Sequence, residues 1–277
     1  MTPTTLATSD FDYVRALVRE RSAIVLEPGK EYLVQTRLQP VAQRNGLADI
    51  GALVDRLRRG EPALATQVVE AMTTNETSFF RDAHPFEMLR TDVIPTLMES
   101  RKTQRALRIW SAASSTGQEA YTIAMTLRES FPQLAGWAVS ILGTDLSRDV
   151  VEKAKEGRYA QIEVNRGLPA PLLLKYFERA GLAWKVKQEL RRAVEFKQMN
   201  LIAPWPSIPR MDVVFLRNVL IYFDGDTKRA ILANVRRVIA PDGYLFLGAA
   251  ESTLQYDRTF ERIQTARTNC YRLLQNS

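Results

Sequence analysis

From about residue 106 to the C-terminus, short apolar runs with strand character alternate with helical repeats. This alternation constrains the fold more than any other feature of the 277-residue sequence. Leu107-Arg108-Ile109-Trp110-Ser111 is strand-like and leads through Ser114-Ser115-Thr116-Gly117 into a helix with Tyr121, Ala124, Met125 and Leu127 on its apolar side. Trp137 to Asp145 reads as a second strand, Asp149 to Glu156 as a helix, Met211 to Leu216 as a buried strand and Thr227 to Ile239 as a helix. Pro241-Asp242-Gly243 reads as a turn before a strand from Tyr244 to Gly248, and Cys270 to Leu274 as a last strand. Strands alternating with helices predict an α/β domain with a mostly parallel sheet.

The first quarter of the chain is different. Phe11, Val14, Leu17 and Val18 fall at helical spacing behind the candidate caps Ser9 and Asp10. Tyr32 to Arg44 repeats the pattern and is closed by Asn45-Gly46, a left-handed stop signal. Ile50 to Arg59 and Leu64 to Met72 complete an all-helical region. A further interruption lies at residues 170–200. There Lys185 to Glu195 fits strands or a helix-turn, and Trp184, Val186 and Val194-Glu195-Phe196 favour strands. The expected organisation is an all-helical domain over 1–72, a linker with a connecting helix over 73–105, and an α/β domain over 106–277 with a small β-subdomain at about 170–197.

Composition excludes several classes. No run approaches the ~18 apolar residues that a membrane span requires, and the first ten residues lack the pattern of a secretory signal. One cysteine, Cys270, and one histidine, His84, rule out a Cys/His zinc cluster and leave no pair for a disulfide. No metal is expected. There is neither a Walker A motif nor a Gly-x-Ser-x-Gly elbow. The net charge of +7 comes mainly from the second half. It fits a solvated basic surface as well as an acidic partner.

Four constellations stand where ligands commonly bind, three of them at the carboxyl ends of strands and one at a domain seam. Ser114-Ser115-Thr116-Gly117-Gln118-Glu119 follows the first strand, and it fits either a ligand loop with Glu119 accepting from a ligand ammonium or a capped helix start. Asp145 ends the second strand, where an acidic side chain accepts ribose hydroxyls or caps the next helix, a role for which Ser147 competes. Arg217-Asn218-Val219-Leu220-Ile221-Tyr222-Phe223 sets polar residues into an apolar run after the third strand, and those groups need partners, internal or bound. Thr73-Thr74-Asn75-Glu76-Thr77-Ser78-Phe79-Phe80-Arg81-Asp82 lies at the seam between the helical and α/β regions, as a ligand-contacting segment or a polar linker.

Together with Leu247-Gly248-Ala249-Ala250-Glu251-Ser252, these motifs occur in an order that resembles the CheR family of chemotaxis protein methyltransferases, from about Phe11 to Leu274. The resemblance implies a Rossmann-like S-adenosylmethionine-dependent methyltransferase domain with a small β-subdomain, preceded by an all-α N-terminal domain. It implies a cytoplasmic, monomeric enzyme that esterifies glutamates on the helical cytoplasmic domain of chemoreceptors, releases S-adenosylhomocysteine, and neither binds nucleic acid nor inserts in a membrane. Carried over by motif, Asn75, Thr77, Arg81 and Glu119 line the methionine part of the cofactor pocket. Asp145 takes the ribose, Asn200-Leu201 and Asn218-Val219 flank the adenine and sulfur, and Tyr222 and Arg81 act in catalysis.

Two departures from the family pattern matter. Gln118 and Ala120 stand where many members have Glu and Pro, with Glu119 retained. Around Tyr176 to Trp184 only Gly181 remains of the longer glycine-rich loop found in members that dock on a receptor's C-terminal pentapeptide, so this chain is expected to act without that tether. Arg37 and Arg44, seven apart on the second predicted helix, share a face that is either a docking surface for an acidic receptor helix or ordinary surface charge. A nucleic-acid methyltransferase is a second reading, but no RNA-binding element, catalytic cysteine or Asn-Pro-Pro-Tyr motif accompanies the basic half. A non-catalytic cofactor sensor is a third.

Overall fold

The computed structural model describes residues 6–263 and 268–274. The chain forms two compact units. One gathers the described residues up to Thr74 with Tyr222–Thr227, and the other takes Asn75–Ile221 with the described residues from Lys228 onward. The helical unit is therefore discontinuous in sequence.

The helical unit contains α1 (Thr8–Ser22), α2 (Glu31–Arg44), α3 (Ile50–Arg58) and α4 (Pro62–Met72). Their apolar stripes meet in a core where Val14, Val18, Val34, Leu38, Val41, Leu53 and Val68 are fully buried. Each such side chain contributes about 1.5–3 kcal/mol by leaving water. Ala7, rather than Ser9 or Asp10, precedes the first turn of α1, and the Asp10 carboxylate instead accepts from Arg58 at 2.9 Å. Asp49 caps α3 by accepting from the Ala52 N–H at 2.8 Å, and Gly46 ends α2 in the left-handed region. Tyr222–Thr227 joins this unit through the Val25 N–H, which donates to the Tyr222 carbonyl at 3.0 Å, and an Arg19–Asp224 ion pair at 3.1 Å.

Arg37 lies on the face expected for it, but its guanidinium is engaged. Nη1 donates to the carbonyls of Met72 (2.6 Å) and Thr73 (2.9 Å), and Nη2 to the Thr74 hydroxyl (3.0 Å). The carbonyls at the end of α4 lack intrahelical donors, and a cation satisfies them and the helix dipole together. Burial lowers the Arg37 pKa. The Arg37 guanidinium is thus committed to the end of α4, whereas Arg44 is exposed.

The α/β unit has ten strands among the described residues: β1 (Ala106–Ala112), β2 (Ala138–Asp145), β3 (Arg158–Ala160), β4 (Phe177–Ala180), β5 (Ala183–Val186), β6 (Val194–Gln198), β7 (Met211–Leu216), β8 (Ile239–Leu247), β9 (Phe260–Arg262) and β10 (Asn269–Leu273). Seven form a sheet in the order β6-β2-β1-β7-β8-β10-β9. The first five of these run parallel, while β10 is antiparallel to both β8 and β9. All six residues of β7 are buried, as expected of a central parallel strand covered on both faces. The unit also holds α5 (His84–Met88), joined by a π-helical turn to α6 (Ile94–Ser100), then α7 (Gln118–Ser130), α8 (Arg148–Glu156) and a last long helix, Gly225–Val238, whose first three residues belong to the helical unit.

Two local expectations change, and one further strand is added. The small sheet, ordered β3-β5-β4, spans 158–186, while Val194–Gln198 pairs in parallel with β2 at the edge of the main sheet. Alternation shows that a segment suits a sheet but does not choose the sheet. Pro241-Asp242-Gly243 is a bulge inside β8, where pairing jumps from Met211↔Ile239 to Val213↔Tyr244. β9 has only three residues and no apolar pattern to announce it.

Arg101 fixes that bulge. Its guanidinium donates to Asp242 at 2.6 and 2.7 Å and pairs with Asp212 at 2.9 Å. The hydrogen bonds from Arg101 hold the Asp242 carboxyl below the usual carboxylate range. A carboxyl lowered on folding stabilises the fold above its unfolded pKa, near ~3.9, and loses that contribution as pH falls through the lower folded value. Asp242→Asn should therefore cost about 1 kcal/mol at pH 7, a modest figure because the carboxylate is one-third exposed. The cost should shrink by pH 3 in urea unfolding, and an equal cost at both pH values would refute the assignment.

Candidate functional site

The five parallel strands end on one edge, and each is followed by polar residues. Ser114 to Glu119 follow β1, Asp145 ends β2, Asn200 follows β6, Arg217 and Asn218 follow β7, and Gly248 to Glu251 follow β8. Between β1 and β7 the winding reverses, which in open sheets opens a crevice beyond the strand ends.

Asp145 organises one side of this crevice. Its Oδ2 accepts from the Ser115 N–H at 2.8 Å and its Oδ1 from the Ser147 N–H at 3.0 Å. The Asp145 carbonyl receives the Met199 N–H at 2.8 Å, which brings Asn200 and Leu201 alongside. Asn200 accepts from the Ile202 N–H at 3.1 Å, and the Leu201 carbonyl accepts from Trp205 Nε1 at 3.0 Å. The Trp205 ring meets Trp110 edge-to-face at 5.1 Å. Asn75 joins the same group through its carbonyl, which the Ser115 hydroxyl reaches at 2.9 Å.

Arg217 organises the other side. Its side chain is 1% exposed. Nη1 donates to Glu119 at 2.8 Å, and Nη2 donates to Asp82 at 2.7 Å and to the Arg81 carbonyl at 3.0 Å. The second Glu119 oxygen accepts from the Ser111 hydroxyl at 2.8 Å. Glu119 is thus held by the protein on both oxygens, and Arg81 meets Arg217 through its backbone. The Arg81 guanidinium turns to the Glu76 carbonyl at 2.9 Å, and Thr77 is half-buried in the same loop.

Backbone strain concentrates here. Among the described residues, Phe80, Asp82, Ala83, Ala113, Ser115 and Asn218 all have positive φ without being glycine. Such conformations persist where the surroundings over-determine them, commonly at ligand sites. Gly117, at φ +93°, is required sterically as well, because a Cβ there would lie 2.9 Å from Ala154 Cβ.

Asn218 and Val219 lie directly after β7, and their N–H groups donate to the buried carboxylate of Glu251, each at 2.8 Å. The motif Leu247 to Ser252 is legible in the sequence, but the role of Glu251 within it is not. Its only local signal is an acidic side chain after three small residues at a strand end. Tyr222 falls in the helical unit, where its carbonyl bonds Val25. Two buried polar atoms near the strand ends, Ser114 Oγ and Arg217 Nε, have no hydrogen-bond partner among the described residues.

Sequence comparisons bear on this geometry. The family profile described as "CheR methyltransferase, all-alpha domain" matches residues 9–73, and "CheR methyltransferase, SAM binding domain" matches 75–268. The chain is 40% identical to chemotaxis protein methyltransferase 1 of Pseudomonas aeruginosa, covering 96% of this chain and 98% of that one. It is 41% identical to chemotaxis protein methyltransferase Cher2 of Pseudomonas putida, covering 88% and 90% respectively. It is 36% identical to the chemotaxis protein methyltransferase of Escherichia coli, covering 92% and 89%.

Removing Arg217 would strand the largely buried Glu119 carboxylate beside the Asp82 loop. Arg217→Leu should lower the unfolding free energy by roughly 3 kcal/mol in urea titration. A loss below about 1 kcal/mol would show that the guanidinium does not hold these segments together.

Proposed function

The chain belongs to the CheR methyltransferase family, and on that footing we propose that it transfers the methyl group of S-adenosylmethionine to glutamate side chains of chemoreceptors, forming methyl esters for sensory adaptation. The observation that carries this reading is the set of acceptors and donors gathered at the carboxyl edge of the parallel sheet. There, Asp145 stands as an acidic acceptor at the end of β2, suited to ribose hydroxyls, and the buried Ser114 hydroxyl has no partner among the described residues. This donor set fits a charged nucleoside cofactor. Asp145 takes the ribose. Asn200-Leu201 and Asn218-Val219 flank the adenine and sulfur, and Asn75, Thr77, Arg81 and Glu119 line the methionine end.

S-adenosylmethionine, when bound, supplies an already activated methyl group on a cationic sulfur. The acceptor carboxylate, with an ordinary pKa near ~4.3, is ionised at neutral pH, so no general base is required. The chain's residues have three tasks: to align the carboxylate, to exclude the water that stabilises two separated charges, and to keep the pocket's own charges fixed. Arg217 does the last for Glu119. Tyr222 orients the acceptor carboxylate or supports the sulfur centre, and Arg81 holds charge in the pocket.

The substrate is the acidic helical part of a chemoreceptor's cytoplasmic domain, and the enzyme works as a cytoplasmic monomer. No helix among the described residues is long and apolar enough to cross a membrane. The enzyme does not depend on a C-terminal receptor tether. Supporting this, β4 and β5 are joined by only Gly181 and Leu182 between the paired Ala180 and Ala183, which leaves no loop to fold over a peptide.

Labelled methyl should transfer from S-adenosylmethionine to receptor-containing membranes and be released as methanol in mild alkali, with total RNA unlabelled. Alkali-stable label on RNA would overturn the substrate class. In the same assay Tyr222→Phe should lower kcat, and unchanged turnover would remove its role. Calorimetry with a receptor C-terminal pentapeptide should give no micromolar binding, whereas tight binding would overturn tether independence.

A further inference from the structure

Glu251 follows β8, is 5% exposed, and gathers five backbone N–H groups. Oε1 accepts from Val219 (2.8 Å), Leu220 (2.7 Å) and Ile221 (3.3 Å), and Oε2 from Asn218 (2.8 Å) and Gly248 (2.7 Å). Four of these donors are consecutive residues, so one carboxylate draws the N–H groups of a whole connector to one side. A neutral amide cannot do this for both groups of donors, because only one of its two polar atoms accepts. The connector's first residue, Asn218, is held at φ +58°, a left-handed conformation that Asn tolerates better than most residues.

The carboxylate is itself held. Asn269, at the start of β10, donates through Nδ2 to the carbonyls of Gly248 (2.9 Å), Ala249 (3.1 Å) and Glu251 (2.9 Å). Gly248 permits the approach, since a Cβ there would fall 2.7 Å from Glu251 Oε2 and 2.9 Å from the Asn218 nitrogen. On the other side of Asn218 the chain is pinned by the buried Arg217. A short segment clamped from both ends, in a strained conformation, at the mouth of a strand-end crevice is a device for presenting a fixed surface.

We infer that Glu251 is a positioning residue for cofactor binding, which sets the backbone of Asn218–Ile221 so that this segment meets the cofactor with its carbonyl oxygens and the Asn218 side chain. The inference rests on the proposed assignment of Asn218 and Val219 to the cofactor pocket. With the N–H groups of Asn218, Val219, Leu220 and Ile221 all consumed by Glu251, the backbone offers a ligand acceptors and no donors. Acceptors suit S-adenosylmethionine, whose adenine amino group donates and whose sulfur carries a positive charge.

Glu251→Gln keeps the shape but turns an amide N–H₂ toward one set of donors. Calorimetry should show S-adenosylhomocysteine binding weakened roughly ten- to a hundredfold at unchanged stoichiometry. The KM for S-adenosylmethionine should rise while the KM for receptor stays within about twofold, a split that general loosening of the fold would not produce. Asn269→Ala, which leaves the carboxylate in place but frees its loop, should weaken binding in the same direction by a smaller factor and serves if Glu251→Gln does not fold. Asn218→Ala tests the underlying assignment. Weakened binding in Glu251→Gln beside an unaffected Asn218→Ala would retire the side-chain contact and keep the positioning role through the backbone. Weakened binding in Asn218→Ala beside full affinity in Glu251→Gln would overturn the inference while leaving the pocket assignment intact. A parallel rise in both KM values in Glu251→Gln and Asn269→Ala would also overturn it.

Discussion

A parallel sheet leaves its carboxyl edge with backbone groups that no neighbouring strand can pair, and the connectors leaving that edge must find other partners. Here the partners are acidic side chains held in place by other residues. Asp145 takes two N–H groups after β1 and β2, Glu251 takes five around the ends of β7 and β8, and Glu119 locks the buried Arg217. The crevice exists in its observed form because these carboxylates decide where each connector turns. The strained residues lie on or beside these connectors, and the hydrogen bonds that stabilise the edge offset the strain.

The same arrangement explains why the chain needs so little catalytic apparatus. In the proposed reaction its one histidine and one cysteine are not required, because the acceptor is already an anion and the donor already activated. Cys270 is fully buried, with its thiol pKa raised mainly by burial, which suits packing and not nucleophilic attack. What the reaction demands is fixed geometry in a site that can exclude water. A network of backbone donors on buried carboxylates supplies fixed geometry without adding a titrating base.

Much of this was legible along the chain, and what was not has identifiable causes. Met211–Leu216 announces itself because a strand covered on both faces must be apolar nearly throughout. Asp145 was readable from its position at a strand end. The bulge at Pro241–Gly243 was not, since Pro-Asp-Gly is also a turn signal and only Arg101, far away in sequence, makes it part of a strand. Arg37 shows the same limit. Helical spacing gives its face, but its acceptors lie 35 or more residues further on, at the end of another helix. Glu251 is the strongest case, because four of its five donors, Asn218 to Ile221, follow β7, and only the sheet order brings that segment beside the end of β8.

The return of Tyr222–Thr227 to the helical unit has a bearing on how the protein is made. The apolar core of α1 to α4 is complete once Met72 has been synthesised. The Val25 bond and the Arg19–Asp224 pair must wait for residues some 150 positions later, an interval of about ten to thirty seconds on a translating ribosome. During that interval the nascent helical unit is packed but unsealed, and its last backbone partner arrives only with the chain segment that carries Tyr222. A protein trimmed to residues 75–277 would carry the late segment but none of the helices that wait for it.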